Sequence, residues 1–121
     1  MTPPIFTLAA AAPPVRELLG ADPVRVYPFG QAGDAPVLPY AVWQIAGGLP
    51  ENYLAGRPDA DSFKTQIDVY AASAADARAV AMALRDALEL SAYVTSWRGE
   101  TRDPVTRNYR FSFDMDWIVQ R

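Results

Sequence analysis

Cysteine and histidine are both missing from the 121 residues of this chain. Without cysteine no disulfide can form, and without either residue the thiolate and imidazole ligands of most zinc sites are missing too. The same absences exclude Ser-His-Asp and Cys-His nucleophilic catalysis, and they remove the side chain best suited to proton transfer near neutral pH. We therefore expect no metal, no cofactor and no enzymatic activity.

Basic charge is scarce as well. Lys64 is the single lysine among eleven basic residues, and the net charge is −3. A domain this acidic does not bind nucleic acid strongly by itself, because neutralising phosphates requires a basic surface. The preference for arginine fits bidentate pairing with carboxylates at protein interfaces. A GC-rich genome would produce the same preference without any interface.

The sequence also lacks long apolar runs. Its first six residues have no basic region, and no apolar run approaches the ~20 residues that a membrane-spanning helix needs. We therefore expect neither a secretory signal nor a membrane span, and a protein that stays in the cytoplasm unless something carries it out. The length and the ordinary share of apolar residues, 50%, predict one globular domain over residues 1–121.

Hydrophobic periodicity predicts an α+β fold. The predicted elements are helices over 5–12 and 15–19, strands over 24–27, 40–46 and 62–71, a helix over 73–90, and strands over 92–101 and 109–119. Thr2 is the expected N-cap of the first helix. Ser73, with Asp76 three residues later, is the expected N-cap of the last helix. Strict alternation in the strands over 62–71 and 109–119 predicts one buried face. We expect an antiparallel or mixed sheet of about four to five strands with the helices on one face.

The polar segment over 47–61 is unusually long for a structureless connection in a small domain, and such segments are usually functional. We interpret it as a β-hairpin arm that extends from the sheet. Tyrosine and arginine are enriched at interface anchors. The predicted interface residues are Asn52, Tyr53, Leu54, Arg57 and Asp59. The alternative is a mobile extension without a partner.

Three patterns suggest chemistry only weakly. Asp114 and Asp116 lie two apart on one strand face, as in a two-carboxylate hydrolase, but that face should be solvated. Ser62 and Lys64 share a strand face, yet a catalytic lysine must be desolvated. The glycine-rich stretch over 30–33 lacks the Gly-Lys-Ser/Thr ending of a phosphate-binding loop, and no helix follows it.

Three runs, in this order, resemble a known family: Pro39-Tyr40-Ala41-Val42-Trp43-Gln44, Pro50-Glu51-Asn52 and Gln66-Ile67-Asp68-Val69-Tyr70-Ala71. The alanine-rich helix from Ser73 and the closing strand Tyr109-Arg110-Phe111-Ser112-Phe113-Asp114 fit the same pattern. Over nearly its whole length the chain is similar to the phage tail-completion proteins, which include head-to-tail joining proteins of long-tailed phages.

This resemblance implies a structural protein of the virion, at the head–tail junction, assembled in the host cytoplasm. It implies a homo-oligomeric ring, a hexamer in the related tail terminators, that caps the head-proximal end of the tail tube. The implied partners are the tail tube protein and the head–tail connector or neck protein. DNA would pass through the ring without specific binding, and no catalytic residue comes with the family.

Three alternatives remain open from the sequence. One alternative places the chain in a neck or connector layer nearer the head. Another is a small hydrolase that uses Asp114 and Asp116. A domesticated tail-like particle, such as a bacteriocin, would use the same kind of protein.

Overall fold

Two short helices precede the sheet, and a third helix separates its first three strands from its last two. The structure, a computed structural model, describes residues 2–52 and 56–121. Its elements are α1 (Ile5–Ala11), α2 (Pro13–Leu19), β1 (Val26–Pro28), β2 (Tyr40–Pro50), β3 (Ala60–Ala71), α3 (Ala74–Leu88), β4 (Ala92–Arg102) and β5 (Tyr109–Gln120). The predicted order of helices and strands is confirmed.

The five strands form one mixed sheet in the order β1-β2-β3-β5-β4. The short strand β1 runs parallel to β2, and every other neighbouring pair is antiparallel. Strands β3 and β5 pair over their full length, from Ala60↔Gln120 to Ala71↔Tyr109. The predicted α+β class is therefore confirmed, with β1 as the parallel member of the sheet.

The three helices pack on one face of the sheet and enclose the core. The apolar stripe of α3 is buried, as predicted from its helical spacing. The largest fully buried side chains from the sheet include Phe113, Met115 and Trp117. The indole Nε1 of Trp117 donates to Thr65 Oγ1 at 3.0 Å, so this buried polar pair is satisfied inside the core.

Of the two predicted N-cap residues, Ser73 is confirmed and Thr2 is not. Ser73 caps α3 by accepting a hydrogen bond from the Asp76 amide at 3.1 Å, as expected. The prediction of Thr2 as N-cap was wrong, because α1 begins at Ile5 and Pro4 occupies the cap without a side-chain bond. A proline disfavours helical geometry in the residue before it, so Pro3, followed by Pro4, cannot open the helix.

The segment over 47–61 is partly strand. Strand β2 continues to Pro50, and β3 begins at Ala60, with Pro50 opposite Asp61. The expected β-hairpin arm is confirmed, with longer strands than predicted: β2 reaches Pro50 instead of Ala46, and β3 begins at Ala60 instead of Ser62. Ala46 forms a β-bulge between Ile45 and Gly47 in the pairing of β2 with β3. No helix in the described ranges has the length and apolar character required to span a membrane.

Candidate assembly surfaces

The arm, residues 47–61, begins as paired strand, with β2 and β3 in register from Gly47↔Lys64 to Pro50↔Asp61. Its two strands remain paired at the tip, where the Glu51 amide donates to the Ala60 carbonyl at 2.9 Å. The Ser62 hydroxyl donates to the Glu51 carboxylate. Gly48 is required at its position, because an added Cβ would lie 2.6 Å from the Ser62 carbonyl oxygen. The described part of the arm is therefore an ordered, hydrogen-bonded continuation of the sheet.

Arg121 fastens the base of the arm to the last strand. Its guanidinium donates to both carboxylate oxygens of Asp61, at 2.9 and 3.0 Å, and to the Pro58 carbonyl at 3.0 Å. Its amide donates to the Asp59 carbonyl at 2.8 Å. These hydrogen bonds hold the pKa of Asp61 below its ordinary value and raise that of Arg121. Arg121 was not predicted as a contact of the arm, because no local sequence pattern links residue 121 to residue 61.

The structure locates three of the five predicted interface residues. Asn52, Arg57 and Asp59 are exposed around the arm tip. Tyr53 and Leu54 lie outside the described residues. Leu49, at 73% exposure, is an apolar residue of the arm that the sequence prediction did not include. Leu49 lies opposite Ser62, which in turn lies opposite Ile118 (62% exposed), so two exposed apolar side chains flank the Ser62 hydroxyl on the sheet surface.

The face of the sheet opposite the helices carries linked charges. Asp68 accepts hydrogen bonds from Arg110 Nη2 at 3.0 Å, from Gln66 Nε2 at 3.1 Å and from the Ser112 hydroxyl. These partners come from β3 and β5, so the network ties the two central strands together. A carboxylate with its charge and lone pairs satisfied in this way has a structural role.

The expectation of a solvated Asp114 was wrong, since its side chain is only 4% exposed. Arg98 of the edge strand covers it, with Nε 2.8 Å from Oδ1, and this contact raises the pKa of Arg98. Two irregularities in β4, between Val94 and Ser96 and between Trp97 and Gly99, shift the register around Arg98. Sequence alternation alone does not reveal such bulges, so it did not identify Arg98 as the partner of Asp114.

The other candidate catalytic groups are not brought together as an active site. Asp116 lies opposite Lys64 in register, and its Oδ1 is buried without a hydrogen-bond partner in the described chain. Lys64 is exposed, while the Ser62 hydroxyl is already bonded to Glu51. Across residues 2–52 and 56–121 no group of three or more carboxylates is placed to hold a metal ion.

Comparison with known proteins agrees with this architecture. Residues 3–120 match the family described as tail completion protein gp17. The fold is similar to a chain in a structure described as the virion of a native gene transfer agent (GTA) particle. The TM-score is 0.74 at 17% identity, over 97% of this chain and 92% of that chain. No curated protein matches the sequence significantly. The resemblance seen in the sequence is thus confirmed, and the chain belongs to the family of tail completion protein gp17, as a structural protein of the virion tail.

Proposed function

We propose that this protein forms the ring that closes the head-proximal end of the tail tube, ends tail growth and presents a docking surface for the filled head. The observation that carries this proposal is the arm, a two-stranded extension that Arg121 joins to the last strand and whose described residues Asn52, Arg57 and Asp59 are exposed. Family membership over residues 3–120 supports a tail role of this kind. The ring would be a homo-oligomer, with six copies as in the related terminators.

The sheet offers two different edges for ring closure. Beyond Trp43 no described strand pairs with the outer edge of β2, and none pairs with the outer edge of β4. A contact that joins one of these edges to the other edge of a neighbouring copy is head-to-tail, and such contacts form a closed ring when the rotation returns to the first copy. The arm would contact the adjacent copy or the last ring of the tail tube through Asn52, Tyr53, Leu54, Arg57 and Asp59.

The role we propose is structural and not catalytic. Asp114 is held by Arg98, and Ser62 is held by Glu51, so neither is free to act in a reaction. The net charge of −3 supports a bore that DNA crosses without sticking, since like charges repel. The tube protein and the connector or neck protein are the proposed neighbours. A neck layer nearer the head is the alternative position within the particle.

Replacement of residues 52–59 by Asn-Gly, which keeps Glu51 paired with Ala60, tests the role of the arm tip. An Asn-Gly turn joins two antiparallel strands directly, so β2 and β3 stay paired. We expect a folded variant with a thermal transition close to that of the parent, which produces overlong tails without heads. Substitution of Asn52 by Ser, on the same tip, is the control for a change in sequence without loss of the arm. Tails of normal length joined to heads in the shortened variant would contradict the arm's role.

A further inference from the structure

A rigid turn projects from the end of the sheet opposite the arm. It joins β4 to β5, and the Asp103 carboxylate accepts hydrogen bonds from the amides of Val105 at 2.8 Å and Thr106 at 3.1 Å. The Arg107 amide donates to the Asp103 carbonyl at 2.8 Å, and the Asp103 amide to the Asn108 carbonyl at 2.9 Å. The bonds to its carboxylate hold the pKa of Asp103 below the ordinary value, and all four bonds fix the shape of the turn.

Two features of this turn are unusual for an exposed loop: an apolar side chain at its tip and a non-glycine residue with a positive φ. Val105 is 87% exposed, although it is apolar and lies at the tip. Arg107 has a φ of 63°, in the left-handed region that glycine and asparagine adopt more readily. It is the one residue other than glycine with a positive φ within the described ranges. Strained backbone of this kind commonly marks a functional position. The turn therefore presents an apolar tip beside a guanidinium.

A pocket of about 360 Å³ lies on the helix-free face, towards the β1 edge of the sheet. Its floor includes the stacked rings of Tyr40 and Tyr70, whose centroids are 5.0 Å apart. Phe29, 71% exposed, and Asp34 stand on its rim in the loop after β1. Asp34 is exposed and has no ion-pair partner among the residues described by the structure. The pocket thus combines aromatic walls with an uncompensated negative charge.

We propose that the turn over 103–108 of one copy docks into this pocket of a second copy. Val105 packs on the ring of Phe29, and the Arg107 guanidinium pairs with the Asp34 carboxylate. The turn joins β4 to β5, and the pocket lies over β2 and β3 at the same end of the sheet, where Tyr70 borders both the pocket and Asp103 of the turn. The pocket lining contains no residue of the turn, so one copy can use both surfaces at once. The contact is head-to-tail and leaves the arm free for the tail tube. This inference rests on the proposed ring and names its subunit contact.

The absence of cysteine from the sequence makes the contact directly testable. Val105→Cys and Phe29→Cys are introduced together, and particles from cells producing this variant are oxidised. The docking predicts a ladder of disulfide-linked multimers, because each copy carries both halves of the contact. The matched control pairs Val105→Cys with Leu90→Cys, since Leu90 is 80% exposed and lies at the other end of the sheet. Either single variant should stop at dimers. An equal ladder from both pairs, or none from the first pair, would overturn the docking.

A charge exchange provides the second test. Arg107→Asp or Asp34→Arg alone should weaken assembly about tenfold or more, as loss of one interfacial ion pair does, and the double exchange should restore it. Arg107→Gly relieves the left-handed strain, so it should melt at the same or a higher temperature than the parent while assembling poorly. Failure of rescue with the protein still located at tail ends would refute the docking alone. Absence of the parent protein from tails would refute the proposed function.

Discussion

Arg121 and Asp61 form a two-pronged ion pair that joins the end of the chain to the base of the arm, with N–O distances of 2.9 and 3.0 Å. Paired, parallel hydrogen bonds of this type fix orientation as well as adding energy. Because the Arg121 amide and guanidinium also bind the carbonyls of Asp59 and Pro58, one residue holds residues 58–61 beside the end of β5.

Arg121→Ala should therefore loosen the arm base without unfolding the core. We expect faster amide hydrogen exchange in residues 58–62 and a small decrease in melting temperature, while exchange in α3 stays at its parent rate. Arg121→Lys keeps the positive charge but cannot donate two parallel hydrogen bonds to the Asp61 carboxylate, so it should behave like the alanine variant. Parent-like exchange at the arm in both variants would show that Arg121 does not hold it.

Gly48→Ala should destabilise the protein by about 1–3 kcal/mol, as overpacking against backbone usually does. The added methyl would meet the Ser62 carbonyl oxygen at 2.6 Å. Gly47→Ala is the matched control, since no atom lies within 4 Å of its added Cβ. Denaturant unfolding of the two variants measures the difference. Equal stability of the two variants would mean that the β2–β3 ladder at the arm differs from the one described.

The stabilising effect of Asp103 should depend on pH. Its folded-state pKa is lowered by hydrogen bonds from the Val105 and Thr106 amides, so its contribution is present above the ordinary aspartate pKa of about 3.9. That contribution is lost as the pH falls through the folded-state value. Asp103→Asn should accordingly melt below the parent at pH 7, and the gap should close in acid. A gap that is constant between pH 7 and pH 3 would contradict this assignment.

Arg98→Ala should destabilise the protein more than the double variant Arg98→Ala with Asp114→Asn. Removal of the arginine alone leaves a nearly buried carboxylate without its partner, whereas the second change removes the charge. Thermal unfolding of the two variants and of the parent gives the comparison. If the single variant is at least as stable as the double one, Arg98 does not compensate the charge of Asp114.

The sequence predicted those elements whose local pattern agrees with their tertiary setting. The stripe of α3 and the alternation in β3 are buried as expected, because one face of each packs on the other. Gly47, Gly48 and Pro50 have the composition of a loop, yet pairing with β3 draws them into a strand. Strand pairing outweighed the weak local preference for a loop. The strand ends in the arm could therefore not be predicted from the sequence.

The candidate site was predicted in outline only. A functional arm over 47–61 was predicted from its length and polarity; the structure shows its paired strands, and its function stays a prediction. Residues that act through distant partners were missed, as with Arg98 over Asp114 and Arg121 on Asp61. Their partners lie 16 and 60 residues away in sequence, so no local spacing indicates them.

Cryo-electron microscopy of purified particles, with this chain traced in the density, tests the central claim most directly. The account predicts a single closed ring of this protein at the head-proximal end of the tail tube, with each arm directed towards a neighbouring copy or the last tube ring. Copies distributed along the tube, or purified tails without this protein, would contradict it.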